Sequence, residues 1–417
     1  MPVPMKDSHL RIRMAQSLAE VPAADWDACA SDPKASDEEL KLTPEDNSSP
    51  RFSTREQPSN PFVTHDFLSS LEASKSVGVR AGWQPQHLLA EDSAGSLVGC
   101  APCYVKTHSR GEYVFDHGWA EAFERAGGDY YPKLQVAVPF TPVTGPRLLA
   151  RPAPHADAVR SGLADALAQV AKSNGLSSAH VTFLTEREWQ MLGERGFLQR
   201  TDQQFHWENA GYATFDDFLA ALSSRKRKTI RRERKEALSP GIEVRWLTGS
   251  DLTEEIWDAF FAFYMETGSR KWGRPYLTRE FFSIVGGKMA DRILLVMAKR
   301  AGRWIGGALN FIGGGTLYGR NWGCVEHHPF LHFELCYYQA IDYAIAHGLK
   351  RVEAGAQGEH KIQRGYLPVV THSMHWIAER SFRDAVAEFL ERERRVMQNE
   401  MAGLAELSPF RQEGVGG

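Results

Sequence analysis

The chain has 417 residues, 42% of them hydrophobic and 24% charged, which suits two or three globular domains and excludes a disordered or fibrous composition. Its formal net charge of −3 gives no whole-molecule pull toward nucleic acid or membrane, so any such affinity must lie in a local patch. The opening residues lack the apolar run of a secretory signal and no stretch reaches membrane-span length, so a soluble, cytoplasmic protein without stable membrane insertion is expected.

In chain order, "DWDACA" (25–30) precedes residues 31–59, which carry almost no large apolar side chains and read as a flexible insertion. The helix "THDFLSSLEASKSV" follows. "QHLLAEDSAGSLVGCAPCYVKTHSRGEYVFD" (86–116) then reads as three strands separated by turns. Cys100 and Cys103 form a CxxC inside this run. No second CxxC or His cluster completes a site, and strand alternation sends the two thiols to opposite faces, so with Cys29, Cys324 and Cys336 they read as reduced cysteines. Residues 116–147 hold Trp119, Tyr130, Tyr131, Lys133, Phe140 and four prolines, and read as an aromatic, Pro-rich insertion. Next come the helix "SGLADALAQVAKSNGL", the strand "AHVTFL" and the segment "ERGFLQRTDQQFHW" (194–207).

A basic stretch follows. Arg225, Lys226, Arg227, Lys228, Arg231, Arg232, Arg234 and Lys235 place eight positive charges in eleven residues, relieved by Glu233. At 100° per residue these charges cover most of a helix circumference, so some must face solvent or an anionic partner. The two readings are a polyanion-binding helix and a solvated connection docked through Ile230 and Leu238.

Beyond it the first pattern recurs. "RILLVMAKRAGRWIGGALNFIGGGTLYGR" repeats the strands, "ELCYYQAIDYAIAHGL" the helix, "KRVEAG" the short strand and "QRGYLPVVTHSMHW" (363–376) the closing segment. Gly306 lies 207 residues after Gly99, Gly348 lies 173 after Gly175, and Gly365 lies 169 after Gly196. The first copy therefore holds about 34 extra residues between its strands and its helix, as expected of a duplication with indels. "GGG" (313–315) reads as a hairpin turn, and "SFRDAVAEFLERERRVMQNEMAGLAEL" as an outer amphipathic helix. The pairs His327-His328 and His372/His375 lack zincin spacing, and neither a nucleophile elbow nor a Walker-A loop is present, so no metal site is expected.

The strings "GEYVFDHGWAEAF", "YYPKL", "PFTPVTGPRLL" and "GAQGEHKIQRGYLP", with the doubled strand-helix order, resemble the FemAB-like branch of peptidoglycan biosynthesis or recognition proteins over about residues 60–395. The resemblance implies an α/β fold of two tandem GNAT-like modules, with mixed, mostly antiparallel sheets flanked by helices, joined by a basic helix. The expected layout is a first module at 1–215, a basic connection at 216–240, a second module at 241–380, and a C-terminal helix and tail at 381–417. It also implies an N-acyltransferase, with aminoacyl-tRNA as donor and the amine of a peptidoglycan precursor as acceptor.

An acyl-CoA site needs a glycine-rich turn presenting backbone N–H groups to a pyrophosphate. "GRNWGCVEHHPFLHFELCYY" puts Pro329 and Phe330 where glycines are wanted, so no resident cofactor is expected, and acyl-CoA stands as the alternative donor. A non-catalytic module that binds a peptidoglycan precursor or RNA is the competing class. Aminoacyl transfer passes through an oxyanion that needs a fixed donor or cation. Fem-type enzymes carry an important Lys in the region that Lys361 matches best, so Lys361 is expected as electrostatic stabiliser. Arg364 is expected as anion anchor, with His360 or Glu359 as proton acceptor. Asp116, Trp119, Tyr131, Lys133 and Arg147, with Arg320 and Asn321, are expected to bind substrate, the 116–147 segment acting as a lid over a muropeptide or sugar nucleotide or else as an aromatic plug. Arg225, Lys226, Lys228, Arg231 and Arg232 are the expected RNA or anion contacts.

Overall fold

The structure is a computed structural model that describes residues 10–31, 60–239, 241–272, 275–356 and 358–411. The expected flexible insertion falls, apart from Ser31, outside these residues. The chain divides into two compact units. The first comprises Met1–Asp202 with Thr371–Arg395, and the second Gln203–Val370 with Val396–Gly417.

The first unit opens with β1 (Arg11–Ala15), β2 (Trp83–Pro85), β3 (His87–Glu91), β4 (Leu97–Ala101) and β5 (Cys103–Lys106). Pro102 cannot donate to a ladder, and at this point the run changes sheets. β4 joins an antiparallel sheet in the order β1, β3, β4, β7 (Leu149–Ala150), whereas β5 pairs with β2 and with β6 (Lys133–Val136). Cys100 and Cys103 are therefore separated by a change of sheet, and both are fully buried. The third strand expected at the end of 86–116 does not form, and residues 107–114 make bends instead apart from Arg110.

β6 pairs in parallel with β8 (Ser178–Leu184), from Leu134 with Ala179 to Val136 with Val181. Lys133–Val136 is thus a central strand of the sheet, although it lies inside the stretch expected as an insertion. Four residues flanked by Pro132 and Pro139 are too short to show a period. The helix Ala156–Ser173 buries Val159, Leu163 and Leu167, residues at helical spacing, in a core shared with Leu134, Val136 and Val181.

β9 (Leu198–Glu208) crosses the unit boundary. The second unit then runs through the helix Phe215–Ala221, the basic helix Ser224–Leu238 and β10 (Ile242–Leu247). The helices Glu254–Trp272 and Arg279–Met289 lead to a meander of β11 (Ile293–Arg300), β12 (Arg303–Gly313) and β13 (Thr316–Cys324). Gly314 and Gly315 turn the β12–β13 hairpin at φ 56° and 69°, a conformation only glycine adopts without strain. A helical stretch with a π turn at Glu334–Tyr338 follows, then β14 (Arg351–Glu353) and β15 (Leu367–Ile377). β14 pairs in parallel with β13 and antiparallel with the end of β9, Trp207 lying opposite Val352. In the first unit the end of β15 pairs antiparallel with β8, His375 opposite His180.

The two His-Trp ends therefore pair with equivalent strands, β14 and β8, each in the unit that holds the other copy's strands. Trp207 is fully buried in the second unit's core, and Trp376 packs half-buried on the first unit's. The paired glycines share backbone geometry: φ is 79° at Gly95 and Gly302, 64° at Gly175 and Gly348, and 81° and 90° at Gly196 and Gly365. The helix Arg380–Glu406 completes the chain as expected.

Candidate functional site

In the second unit β13 and β14 pair only from Thr316 with Arg351 to Tyr318 with Glu353. Beyond that point β13 continues along β12, while the other strand leaves the sheet through Gly355 (φ 74°) and Gly358 (φ 103°). The chain returns as the 3-10 helix Glu359–Arg364, ended by Gly365 in the left-handed conformation. This short helix turns Lys361 back toward the parted strands. Its Nζ donates to Ala354 O at 2.5 Å and Gly355 O at 3.0 Å, and lies 5.6 Å from the Phe205 ring centroid.

Lys361 is 4% exposed, and no described carboxylate lies within ion-pair distance of it. Burial lowers its pKa to about 8, opposed by the Cys336 thiol. An ammonium has three N–H donors, and two are committed to carbonyls. The group can therefore offer its third to an oxygen gaining charge, and near neutral pH it holds its proton loosely.

The neighbours of Lys361 have other occupations. Arg364 Nη2 donates to both oxygens of Glu233, at 2.9 and 2.8 Å, and its guanidinium lies 3.5 Å from the Phe333 ring centroid. Tyr338 also donates to Glu233. The anion that Arg364 anchors is thus a buried carboxylate of this protein. His360 Nε2 lies 3.0 Å from the Tyr337 hydroxyl, and the described residues do not include the Glu359 side chain. Arg320 folds along Tyr318, its Nη1 donating to Gly319 O at 2.8 Å and its Nη2 lying 3.8 Å from Glu353. Asn321 is half-buried, in register with Leu309.

The basic helix is docked on one face, where Ile230, Glu233 and Ala237 are buried. Arg234 lies over the Phe215 ring and reaches Glu334 at 2.9 Å and Asp342 at 2.6 Å. Arg225, Lys228, Arg231 and Arg232 are exposed and Lys226 is half-buried; Arg231 bonds Asp216 at 2.7 Å.

In the first unit, Asp116 and Lys133 meet inside a buried ionic cluster. Lys133 Nζ lies 2.5 Å from Asp116 Oδ2, 3.1 Å from Glu112 and 2.7 Å from Ser109 Oγ, to which Tyr131 also donates. Lys106 bonds Glu112 at 3.2 Å and packs over the Trp83 ring. Burial works against the charge of Asp116, but Lys133 outweighs it and holds the carboxyl well below its usual range. Burial lowers the Lys106 pKa to about 7 against the pull of Glu112. Trp119 stands edge-on to His375, ring centroids 4.8 Å apart. Arg147 is fully buried and spends its guanidinium on the carbonyls of Thr182, Gly145, Pro146 and Val143, so it ties a loop down.

A family model for peptidoglycan biosynthesis/recognition matches residues 17–412. The chain belongs to the FemAB-like family. Among solved structures, this FemAB-like chain is similar to a conserved protein of unknown function from Bacteroides thetaiotaomicron, with 11% identity over 88% of this chain and 100% of that one at a TM-score of 0.50. FemX matches at 12% identity over 77% of this chain and 94% of its own, TM-score 0.48. A tandem GNAT protein from the clavulanic acid biosynthesis pathway matches at 13% over 89% and 98%, TM-score 0.43. No curated protein matches the sequence. This FemAB-like chain folds as mixed α/β, with sheets flanked by helices.

Among the described residues of the FemAB-like chain, no group of three or more His, Cys, Asp or Glu is placed to hold a metal ion, and no helix is long and apolar enough to cross a membrane. A cavity of about 420 Å³ lined by Glu243, Arg245, Lys299 and Trp304 lies by β10 and the β11–β12 turn, far along the sheet from β14, so its size has no bearing on Lys361. Sequence reasoning missed Glu233, which it took as mere relief in a run of positive charge, and the histidines His180, His206 and His375. The last two stood in the quoted His-Trp ends, where alternation against a core tryptophan already put them on the opposite face.

Proposed function

We propose that this protein is an N-acyltransferase that moves an aminoacyl group from aminoacyl-tRNA to the amine of a peptidoglycan precursor, with Lys361 stabilising the oxyanion. The observation that carries this reading is the buried Lys361 ammonium at the point where β13 and β14 part, with two N–H groups on carbonyls and no carboxylate among the described residues within ion-pair distance. The attacking amine forms its bond to the ester carbonyl carbon, the tetrahedral oxygen takes the negative charge beside Lys361, and the ester C–O bond then breaks as the carbonyl reforms. The tRNA's ribose oxygen leaves as a hydroxyl with the proton that the amine gives up. The donor needs no resident cofactor.

One feature weighs against acyl-CoA. The helix after β13 is preceded by Pro329 and by Phe330 at φ 61° where a phosphate-binding turn would carry glycines, and the Leu331 N–H already bonds His328 O. The test supplies radiolabelled aminoacyl-tRNA and, separately, acyl-CoA donors with a panel of amine acceptors that includes a nucleotide-linked muropeptide. Transfer from the tRNA alone supports the reading, and transfer from acyl-CoA alone sinks it.

The exposed face of the basic helix is the proposed contact for the tRNA backbone. Changing Arg225, Lys228, Arg231 and Arg232 to Gln is expected to weaken tRNA retention and to flatten its salt dependence by about 0.7–0.9 in log–log slope for each phosphate no longer neutralised. The fold should survive, because Ile230, Glu233, Arg234 and Ala237 hold the other face. Retention that is unchanged across the salt series assigns those charges to solvent.

A further inference from the structure

The hydrogen-bond network around His180 and His375 in the first unit can be solved proton by proton. Ser177 donates its hydroxyl hydrogen to Tyr130 O, a carbonyl that can only accept. For the 3.1 Å contact between the two serine hydroxyls to be a hydrogen bond, Ser178 Oγ gives its own hydrogen to Ser177 Oγ. Tyr130 likewise donates to Asp116 Oδ2 at 2.7 Å. Both hydroxyls facing His180 Nε2, Ser178 Oγ at 2.8 Å and Tyr130 Oη at 3.4 Å, have spent their hydrogens and can only accept. The proton of neutral His180 thus sits on Nε2, and its Nδ1 is a lone pair. His375 Nδ1 lies 2.6 Å from that lone pair and must carry a hydrogen to donate to it.

The consequence falls on the far side of His375. Its ring is 1% exposed, its Nε2 must be a lone pair, and that atom has no hydrogen-bond partner. A buried acceptor left empty costs about 1–3 kcal/mol, so it calls for an explanation. Trp119 covers the imidazole edge-on and comes from the helix His117–Arg125, where only Trp119 and Ala120 are buried. Asp116 occupies the N-cap of that helix yet makes no capping bond, because its carboxylate is turned inward to Lys133 and Tyr130. Gly127 and Gly128 follow the helix. A short helix without a side-chain cap at its N-terminus, held by buried Trp119 and Ala120 and by Phe123 stacked on Phe382, and followed by glycines, belongs to the more readily opened end of a structure.

We propose that the first unit carries a polar ligand site in which His375 Nε2 accepts a hydrogen bond from an alcohol hydroxyl, such as a sugar presents, when the Trp119 helix swings aside. A hydroxyl fits better than an ammonium because Lys106 and Lys133 already balance Glu112 and Asp116, leaving no charge to repay the desolvation of another cation. The chain His375, His180, Tyr130, Asp116 holds the imidazole in the accepting tautomer. The site does not depend on the reading of Lys361.

The test uses the full-length protein labelled with 15N-histidine, assigned with His375→Gln and His180→Gln, and N-acetylglucosamine as probe. Long-range 1H–15N spectra are expected to show His375 protonated at Nδ1 and His180 at Nε2. Adding the sugar should move the His375 Nε2 resonance and slow acylation of His375 by diethyl pyrocarbonate. Trp119→Ala should speed that acylation about tenfold or more by removing the cover, as expected when modification tracks local opening. Trp119→Phe, which keeps a ring in place, serves if the Ala variant unfolds. The proposal falls if His375 carries its proton on Nε2. It also falls if the sugar leaves both resonance and acylation unchanged in the wild type and in a folded Trp119 variant.

Discussion

Replacing Lys361 by Met is expected to cut turnover about 100- to 1,000-fold once a donor and acceptor pair is in hand, the usual loss when one donor to an oxyanion is removed. The substrate KM should change much less, because the interaction strengthens only as charge develops. The same variant should alter stability against pH in a direction that can be worked out. The folded pKa of about 8 lies below the ordinary value of 10.5, so between the two the unfolded chain holds the extra proton and stability rises with pH. Below pH 8 both states are protonated and the burial penalty is present in full; above 10.5 it is gone. Urea titrations of the wild type across this window should show the rise, and the Met variant should lack it. Full turnover in the Met variant would remove Lys361 from the chemistry, whereas an unchanged pH slope would mean that its ammonium is wet.

Replacing Arg364 by Met is expected to destabilise the second unit by about 3–5 kcal/mol, the cost of leaving one member of a buried ion pair behind. The two oxygens of Glu233 would lose both Arg364 bonds and keep that of Tyr338, in a site where Arg364 is 5% exposed and Glu233 also 5%. Changing Glu233 to Gln as well should recover much of the loss, since the stranded charge goes with it. Denaturant unfolding of the two single variants and the double variant measures this coupling. Losses that simply add would show that the pair is solvated. Because Arg364 also packs on Phe333 and donates to His360 O, its removal should loosen the 3-10 helix that carries Lys361, and so reduce activity without touching substrate.

The fold was legible where turn chemistry repeats. Gly95 and Gly302, Gly175 and Gly348, and Gly196 and Gly365 mark the same bends in both copies because each bend needs a positive φ that few other residues tolerate. What stayed hidden depended on partners distant in sequence. Arg364 looks like an anion anchor until Glu233, 131 positions away, is seen to occupy it. Lys361 shows its type in the sequence but not its two backbone acceptors. β6 gives no periodic signal in four residues, and only its parallel pairing with β8 reveals it as central. The exchange of strand ends was invisible for a related reason: alternation fixes which face a residue presents, not which neighbouring strand it joins.

That exchange sets an order of events at the ribosome. β8 ends at Leu184, and the segment that pairs with its second edge begins at His372, 188 positions later. At roughly 5–20 residues per second, the nascent first unit waits about 10–40 seconds with that edge unpaired, in a state that invites strands from other chains. Slow elongation or a truncated message would therefore endanger the amino-terminal half of the protein more than its own sequence suggests.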